Sequence, residues 1–174
     1  RYFFFVISTN FHSQSFGASY GRINKAEARL TLATLIDYTE RIGRQRLLEE
    51  RIDIGIISPY KAQVQYLRTL LKKNAYLRPL RKSITINTVD AFQGQERDVI
   101  LVSLVRANEA GEIGFLNDLR RMNVAITRAR MKLIILGAST TLCRHKFYKK
   151  LYDSCSKLSI QSLRQNEDSA EARA

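Results

Sequence analysis

Two arginines in the second half of the sequence, Arg121 and Arg128, have the residue type and spacing to bind a phosphate group. A guanidinium group presents a rigid fork of N–H donors that matches phosphate oxygens. In a helix these two residues project from one face, with Val124 between them, where a solvated face more often carries Lys or Glu. The pattern therefore predicts a face that meets a ligand or another protein surface. A solvated arginine face is the alternative, and the helix by itself favours it.

The helix that positions these arginines is predicted over Asn117–Arg130, NDLRRMNVAITRAR. Asp118 stands at a good N-cap position, because its side-chain oxygen can accept a hydrogen bond from a free backbone N–H. At helical spacing, one apolar stripe follows from Leu119, Met122, Ile126 and Ala129. We expect this stripe to pack on a core.

Strand-like runs alternate with helical patterns along the rest of the chain. The predicted strands are Tyr2–Ile7, Ile52–Ile57, Ser83–Asn87, Asp98–Val105 and Lys132–Leu136. The predicted helices are Lys25–Leu48 behind an Asn24/Glu27 capping box, one that begins with Ser58 as N-cap and Pro59 as its first residue, and Thr140–Leu158. Because the strands are unbroken apolar runs separated by helices, the sequence predicts an α/β fold with a mostly parallel sheet and helices on both faces.

Polar side chains cluster after several of the predicted strands. The clusters are Ser58-Pro59-Tyr60 with Gln63, the segment Thr88–Glu96, and Arg106–Asn108. Open α/β sheets bind ligands beyond the C-terminal ends of their strands. The sequence therefore predicts one shared binding edge.

The charge balance favours a polyanionic partner. The 174 residues include 29 Lys and Arg against 16 Asp and Glu, a net charge of +13, which is typical of nucleic-acid binding but also of a generally basic surface. Between Lys61 and Lys82 there are seven basic residues and no acidic one, so this run is either a phosphate contact or a solvated face. No apolar run approaches the length of a membrane span, so no membrane partner is predicted. Two widely spaced cysteines suggest free thiols in a reducing, cytoplasmic compartment.

Several kinds of catalytic site are missing from the sequence. It has no GxxxxGK[ST] segment to cradle phosphates, no acidic pair at a strand end for Mg²⁺, and no Ser/His/Asp or Cys/His set for covalent catalysis. We therefore predict no metal site, and we expect this chain alone to hydrolyse nothing. An arginine here could still act as a finger on a phosphate that a different domain binds.

Four segments together resemble the second RecA-like domain of superfamily 1 helicases, in the Upf-like and Sen-like group of the 1B branch. They are IGIISPYKAQV at Ile54–Val64, NTVDAFQGQERDVILVSLVRAN at Asn87–Asn108, GFLNDLRRMNVAITRAR at Gly114–Arg130, and the LIILG that follows. They are similar to motifs IV, V and VI of that family in the usual order. The resemblance implies a RecA-like, P-loop-NTPase-type domain without its own P-loop over residues 1–158, with a flexible polar tail at 159–174.

The resemblance also implies roles for individual residues. Arg128 matches the catalytic arginine finger on the γ-phosphate of ATP. Tyr60, Gln63, Gly94 and Glu96 match positions at the nucleotide. Ser58, Pro59, Thr88 and Gln93 match positions that contact or couple to nucleic acid. Arg121 and Asn123 match supporting positions around the finger.

Family resemblance thus implies the C-terminal motor domain of an ATP-dependent helicase that translocates 5′→3′ on single-stranded DNA or RNA. ATP with Mg²⁺ would be bound mainly by a first RecA-like domain of the same polypeptide, which supplies the P-loop. The alternatives are a nucleic-acid-binding module or a regulatory module that keeps the helicase fold without motor activity.

Overall fold

A sheet of six parallel strands forms the centre of the computed structural model, which describes residues 2–7, 14–15 and 21–158. The strand order is β5-β4-β6-β7-β1-β8, and every neighbouring pair is parallel. The strands are β1 Tyr2–Ile7, β4 Ile54–Ser58, β5 Ile84–Thr88, β6 Arg97–Ser103, β7 Ala129–Gly137 and β8 Ser156–Leu158. A separate antiparallel pair joins β2 Gln14–Ser15 to β3 Arg22–Ile23. The predicted α/β class and parallel sheet are confirmed.

Helices cover both faces of this sheet. They are α1 Lys25–Ile42, α2 Arg44–Glu49, α3 Lys61–Lys73, α4 Leu119–Thr127, α5 Ser139–Leu142 and α6 Lys146–Ser154. The first three pack over one face, where Leu35, Leu47 and Leu67 meet Ile54 and Ile56 of β4. The last three pack over the other face on a second apolar cluster. Members of that cluster are Ile57, Ile100, Leu133, Met122, Leu142 and Tyr148. Strands with both faces covered explain the unbroken apolar runs.

Several predicted helix bounds are wrong, each for a local reason. The long helix breaks at Gly43, whose φ of 92° is outside the helical region, so α1 and α2 are separate. Ser58 closes strand β4, and α3 begins at Lys61 with Tyr60 as its N-cap, so neither Ser58 nor Pro59 belongs to a helix. Instead, the Ser58 hydroxyl accepts a hydrogen bond from the Tyr60 N–H.

The C-terminal half shows two more differences from the predicted helices. Helix α4 ends at Thr127 and Ala129 already belongs to β7, so Ala129 is not part of a helical stripe, although it is buried in the same cluster as Met122 and Ala125 of α4. The predicted helix Thr140–Leu158 is divided into α5 and α6, and its end forms strand β8. The polar tail predicted from residue 159 lies outside the described residues.

Two arginines in the basic run Lys61–Lys82 serve the fold. Both Nε and Nη2 of Arg68 donate to the Ile86 carbonyl of β5, at 3.0 and 2.8 Å. Arg81 donates to the Lys72 carbonyl. Strand β5 is the edge of the sheet, so Arg68 occupies a carbonyl of an edge strand.

Candidate functional site

The polar segments around the sheet lie at two opposite edges. Ser58 and Thr88 are the last residues of β4 and β5 and pair with each other, which marks the C-terminal edge. Arg97 and Ala129 are the first residues of β6 and β7 and also pair, which marks the N-terminal edge. Val102 of β6 is level with Ile57 and follows Arg97 by five residues, so at about 3.3 Å per residue the edges are about 17 Å apart.

Arg128 lies at the N-terminal edge beside the loop that leads into β6. It is the C-cap of α4, and its carbonyl accepts a hydrogen bond from the Arg97 N–H at 3.0 Å. The residues just before Arg97 are Gln93, Gly94, Gln95 and Glu96, and all of them are exposed. Gly94 has a φ of 74°, and a Cβ there would meet nothing within 4 Å, so its glycine is required by backbone conformation rather than by space.

The Arg128 guanidinium is half-buried and only partly engaged. Its Nε donates to the Val124 carbonyl at 3.1 Å, and its Nη2 approaches the Thr127 hydroxyl at 3.4 Å. Within the described part of the chain it forms no ion pair with a carboxylate. Its charge is therefore available to an anion that approaches this edge.

Arg121 has different partners at the other end of the same helix. Its Nε lies 3.4 Å from an Asp90 oxygen and 3.6 Å from an Asp118 oxygen. Asp118 also accepts the Arg121 N–H as the predicted N-cap. The predicted common face of Arg121 and Arg128 is therefore divided between two sets of contacts. Asn123 is exposed, and its carbonyl accepts from the Thr127 hydroxyl.

Tyr60 and Gln63 lie at the C-terminal edge, away from the other residues that were assigned to the nucleotide. The Gln63 side chain is fully buried, and its amide donates to the Asn24 carbonyl and the Ser103 hydroxyl, both at 3.1 Å. Its amide oxygen accepts from the Asn24 N–H at 2.9 Å. In this arrangement Gln63 binds protein groups and positions the start of α1.

Glu27 completes this buried network, which the sequence analysis missed. Asn24 caps α1 through the Glu27 N–H, as the capping box predicts. One oxygen of the Glu27 carboxylate accepts from the Ser103 hydroxyl at 2.6 Å and from the Val105 N–H at 2.7 Å, while the Asn24 N–H donates to Gln63. A signal was present, because Glu27 shares a helical face with Thr31, Leu35 and other buried residues of α1.

The network holds a strained turn directly after β6. Val105 is buried with a φ of 70°, and the Arg106 N–H donates to the Leu104 carbonyl at 2.7 Å, which together define a γ-turn of the rare positive-φ type. The Val105 carbonyl accepts from the Asn24 amide at 3.1 Å. Strain of this kind costs about 1–3 kcal/mol, persists only where the surroundings impose it, and clusters at functional sites.

Arg106 leaves the turn and enters the protein beside Tyr60. Its side chain is only 4% exposed, and its Nε donates to the Glu112 carbonyl at 2.8 Å. Burial raises the pKa of the Tyr60 hydroxyl, and the Arg106 and Arg22 charges act in the opposite direction. The Tyr60 ring is 5.7 Å from that of Phe115. Arg106 and Tyr60 thus form a buried layer beneath the C-terminal edge.

No cluster of three or more His, Cys, Asp or Glu side chains suited to a metal ion occurs among the described residues. Over the same residues, no helix has the length and apolar character of a membrane span.

Comparisons with known proteins place the chain in a family. The model of the AAA domain family matches residues 1–140. The chain is 39% identical over 151 residues to probable helicase MAGATAMA 3 of Arabidopsis thaliana, covering 87% of this chain and 18% of that protein. It is 38% identical over 156 residues to Helicase SEN1 of Saccharomyces cerevisiae, covering 87% of this chain and 7% of that protein.

A shorter match reaches a higher identity. The DNA polymerase alpha-associated DNA helicase A of Saccharomyces cerevisiae is 47% identical over 104 residues, covering 59% of this chain and 15% of that protein. The chain thus spans less than a fifth of the length of each of these relatives.

Among solved structures, the C-terminal domain of a possible DNA helicase from Lactobacillus plantarum is similar, with a TM-score of 0.47 and 13% identity, covering 79% of this chain and 73% of that chain. The fold is defined by the strand order of the sheet.

Proposed function

The chain belongs to the AAA domain family as a C-terminal helicase domain of the Upf-like and Sen-like superfamily 1 type, and from this we propose that it is the second motor domain of an ATP-dependent helicase. In this proposal the ATP phosphates meet the N-terminal edge of the sheet, and a single strand of nucleic acid meets the C-terminal edge. The carrying observation is that Arg128 lies beside the loop Gln93–Glu96, joined through the hydrogen bond from Arg97.

Arg128 is the proposed catalytic arginine. Charge develops on the oxygens of a transferring phosphoryl group, and a guanidinium placed against them lowers the barrier. In the proposal, the partly engaged Arg128 fork turns from the Val124 carbonyl to the γ-phosphate when the two motor domains close. Mg²⁺, bound by the first domain, would neutralise phosphate charge.

The neighbouring loop supplies the remaining nucleotide contacts in this proposal. Glu96 is exposed and could accept a hydrogen bond from the ribose, while Gly94 keeps the backbone open to a close approach. Gln93 belongs to the same loop, so it would couple the two ligands rather than grip the strand directly. Asn123 and Arg121 hold the finger helix.

On the C-terminal edge, Pro59 and Thr88 are the proposed contacts to the nucleic-acid backbone. The Ser58 side chain is fully buried and accepts from the Tyr60 N–H, so we propose that it positions this edge. Ser58 and Thr88 lie side by side at the ends of paired strands. Because Gln63 and Tyr60 are buried there, we propose that they position this edge and the strained turn, and do not touch the nucleotide. β6 connects the two edges, so a shift at one edge has a direct route to the other.

Several broader parts of the proposal rest on the family alone. These are the first RecA-like domain as the partner that supplies the P-loop, 5′→3′ translocation, and DNA or RNA as the track. A reducing, cytoplasmic location is proposed from the sequence, because Cys143 and Cys155 have a spacing that suits no common metal site.

The test is ATP hydrolysis by the full-length polypeptide with and without single-stranded DNA and RNA. We expect Arg128→Ala to lower stimulated turnover by about 10³-fold or more, and Arg128→Lys to restore little, because an ammonium lacks the fork. Nucleic-acid affinity should be unchanged.

The matched control is Arg120→Ala, which removes an exposed arginine of the same helix. It should leave turnover unchanged. Stimulated turnover that survives in Arg128→Ala would refute the finger assignment, and an absence of any stimulated turnover in the wild type would refute the motor.

A further inference from the structure

An open cleft on the C-terminal edge contains the most exposed large apolar side chain of the described residues. Phe115 is 63% exposed. The lining residues that matter here are Pro59, Thr88, Asp90, Phe115, Asp118 and Arg121. Two of them, Pro59 and Thr88, are proposed contacts to the single strand, so the cleft continues that surface.

The Phe115 ring contacts the protein on one side and is exposed to solvent on the other. Tyr60, which is buried, contacts it at 5.7 Å between centroids with a tilt of 43°. Phe115 belongs to the short 3-10 turn Gly114–Asn117, whose next residue, Leu116, is fully buried. The ring is therefore held by its contact with Tyr60 and by the buried residue that follows it, while most of its surface remains available for stacking.

The carboxylates in the cleft disfavour a phosphate beside the Phe115 ring. Among the described residues, Arg121 is the one cation that lines this cleft, and it lies between the carboxylates of Asp90 and Asp118 at 3.4 and 3.6 Å. Two exposed carboxylates against one guanidinium leave a net negative charge beside the ring. Such groups suit the amino and hydroxyl donors of a base or ribose, and the guanidinium plane offers a second stacking surface.

We propose that this cleft binds one nucleobase of the single strand, stacked on Phe115 and flanked by Arg121, with Asp90 and Asp118 accepting hydrogen bonds from base or ribose. The proposal rests on the proposed function, because it assumes that the strand crosses Pro59 and Thr88. It assigns to this edge a contact with bases in addition to the backbone contacts. An aromatic platform is sequence-tolerant, since every base has a π-face.

The test compares two short single-stranded oligonucleotides on the full-length polypeptide, one with bases and one with the same sugar-phosphate backbone but abasic sites. We expect Phe115→Ala to weaken binding of the base-containing strand by about tenfold, in the range found for loss of one aromatic stack. Phe115→Trp should retain the affinity. On the abasic strand, wild type and Phe115→Ala should bind equally.

Salt dependence provides a second readout of the same contact. Phe115→Ala should leave the slope of log affinity against log salt unchanged, because no phosphate contact is removed. The matched control is Met131→Ala. Met131 is another exposed apolar residue, 50% exposed, but it lies near the start of β7 at the opposite edge, so its loss should change neither strand's affinity.

Three outcomes would overturn the inference without overturning the proposed function. The first is that Phe115→Ala binds the base-containing strand as tightly as wild type does, while that strand stimulates ATP hydrolysis by the wild type. This result leaves the proposed function intact. The second is an equal loss on the base-containing and abasic strands. The third is a loss of ATP affinity without nucleic acid, which would make Phe115 a nucleotide or interdomain contact. A wild type that neither binds the strands nor responds to them refutes the proposed function and this inference with it.

Discussion

At the scale of single residues, the buried carboxylate of Glu27 stabilises the strained turn that follows β6. It accepts from both the Ser103 hydroxyl and the Val105 N–H. The second of these bonds holds a residue whose φ of 70° is unfavourable for a β-branched side chain. Glu27 therefore stabilises a conformation that the local sequence would not adopt.

We expect Glu27→Ala to lower the free energy of unfolding by about 3 kcal/mol, because a buried donor at Val105 loses a charged acceptor. Glu27→Gln should cost less, since an amide oxygen still accepts. Urea denaturation of both variants measures the effect. The matched control is Glu40→Ala, an exposed acidic residue of the same helix, which should change the free energy of unfolding little. Equal stability of Glu27→Ala and wild type would contradict the assigned role.

The sequence predicted one half of this arrangement and could not predict the other. The Asn24 cap depends on residues three apart, so a local pattern reveals it. The partners of Glu27 lie 76 and 78 residues away, and only the packed fold brings them near. For the same reason, Gln63 could be recognised as a motif residue but not as a buried one.

At the scale of elements, an acidic pair and one arginine join the beginnings of three strands. Asp53 and Asp98 accept each other's backbone N–H groups, at 2.7 and 3.1 Å, just before β4 and within β6. Arg130 of β7 donates to both carboxylates at 2.9 Å. Partial burial acts to raise the pKa of Asp98, but hydrogen bonds from Arg130 and the Asp53 backbone outweigh it and hold that pKa below its usual value.

This lowered pKa predicts an acid-sensitive contribution to stability. A carboxyl whose pKa is lower in the folded state stabilises the fold fully above its unfolded pKa of about 4 and loses that effect as the pH falls through the folded value. We expect Asp98→Asn to be less stable than wild type at neutral pH and to converge with it in acid. Denaturation curves from neutral pH to about pH 2 measure this. A constant difference across that range would contradict the prediction.

The elements themselves were largely predictable, and the errors have a common cause. Each of the five predicted strands exists, because buried parallel strands are long apolar runs. The end of α4 was misplaced because Ala129 fits the helical stripe as well as it fits a strand. Its pairing with Arg97 of β6 decides the matter, and such pairing is not encoded within the segment.

At the scale of the whole molecule, the positive charge is not concentrated on the proposed track. Lys72 and Lys73 end α3, which starts beyond the C-terminal edge and spans about 20 Å towards the other edge. Both are exposed. The structure therefore places these two lysines of the basic run away from Ser58 and Thr88.

We expect Lys72→Ala with Lys73→Ala to change single-strand affinity by no more than about twofold and to leave stimulated ATP hydrolysis intact, because neither residue would contact a phosphate. Fluorescence anisotropy and turnover measure the two quantities. Lys61→Ala, at the start of the same helix near the C-terminal edge, is the contrasting variant and should weaken binding more. Loss of stimulation in the double variant would instead favour a binding module that works through net charge.

The division of the candidate site between two edges could not be predicted from the sequence. The rule that ligands bind beyond strand ends placed every polar cluster at one edge. It fails for Gly94, which belongs to the segment Thr88–Glu96 but lies just before β6, and it makes no prediction for Arg128, which precedes β7. Motif order identified these residues, but only the parallel register shows that they lie together and away from Tyr60.

The contact between Arg68 and the edge strand β5 affects how copies of the chain associate at high concentration. An edge strand with free carbonyls is a template on which a second chain can add a strand, and protein aggregation often starts this way. Two N–H groups of Arg68 donate to the Ile86 carbonyl, so a charged side chain lies over that carbonyl of β5. Arg68 therefore blocks strand addition at this position of β5. We expect self-association at high concentration to depend on this side chain, which belongs to neither the N-terminal nor the C-terminal edge.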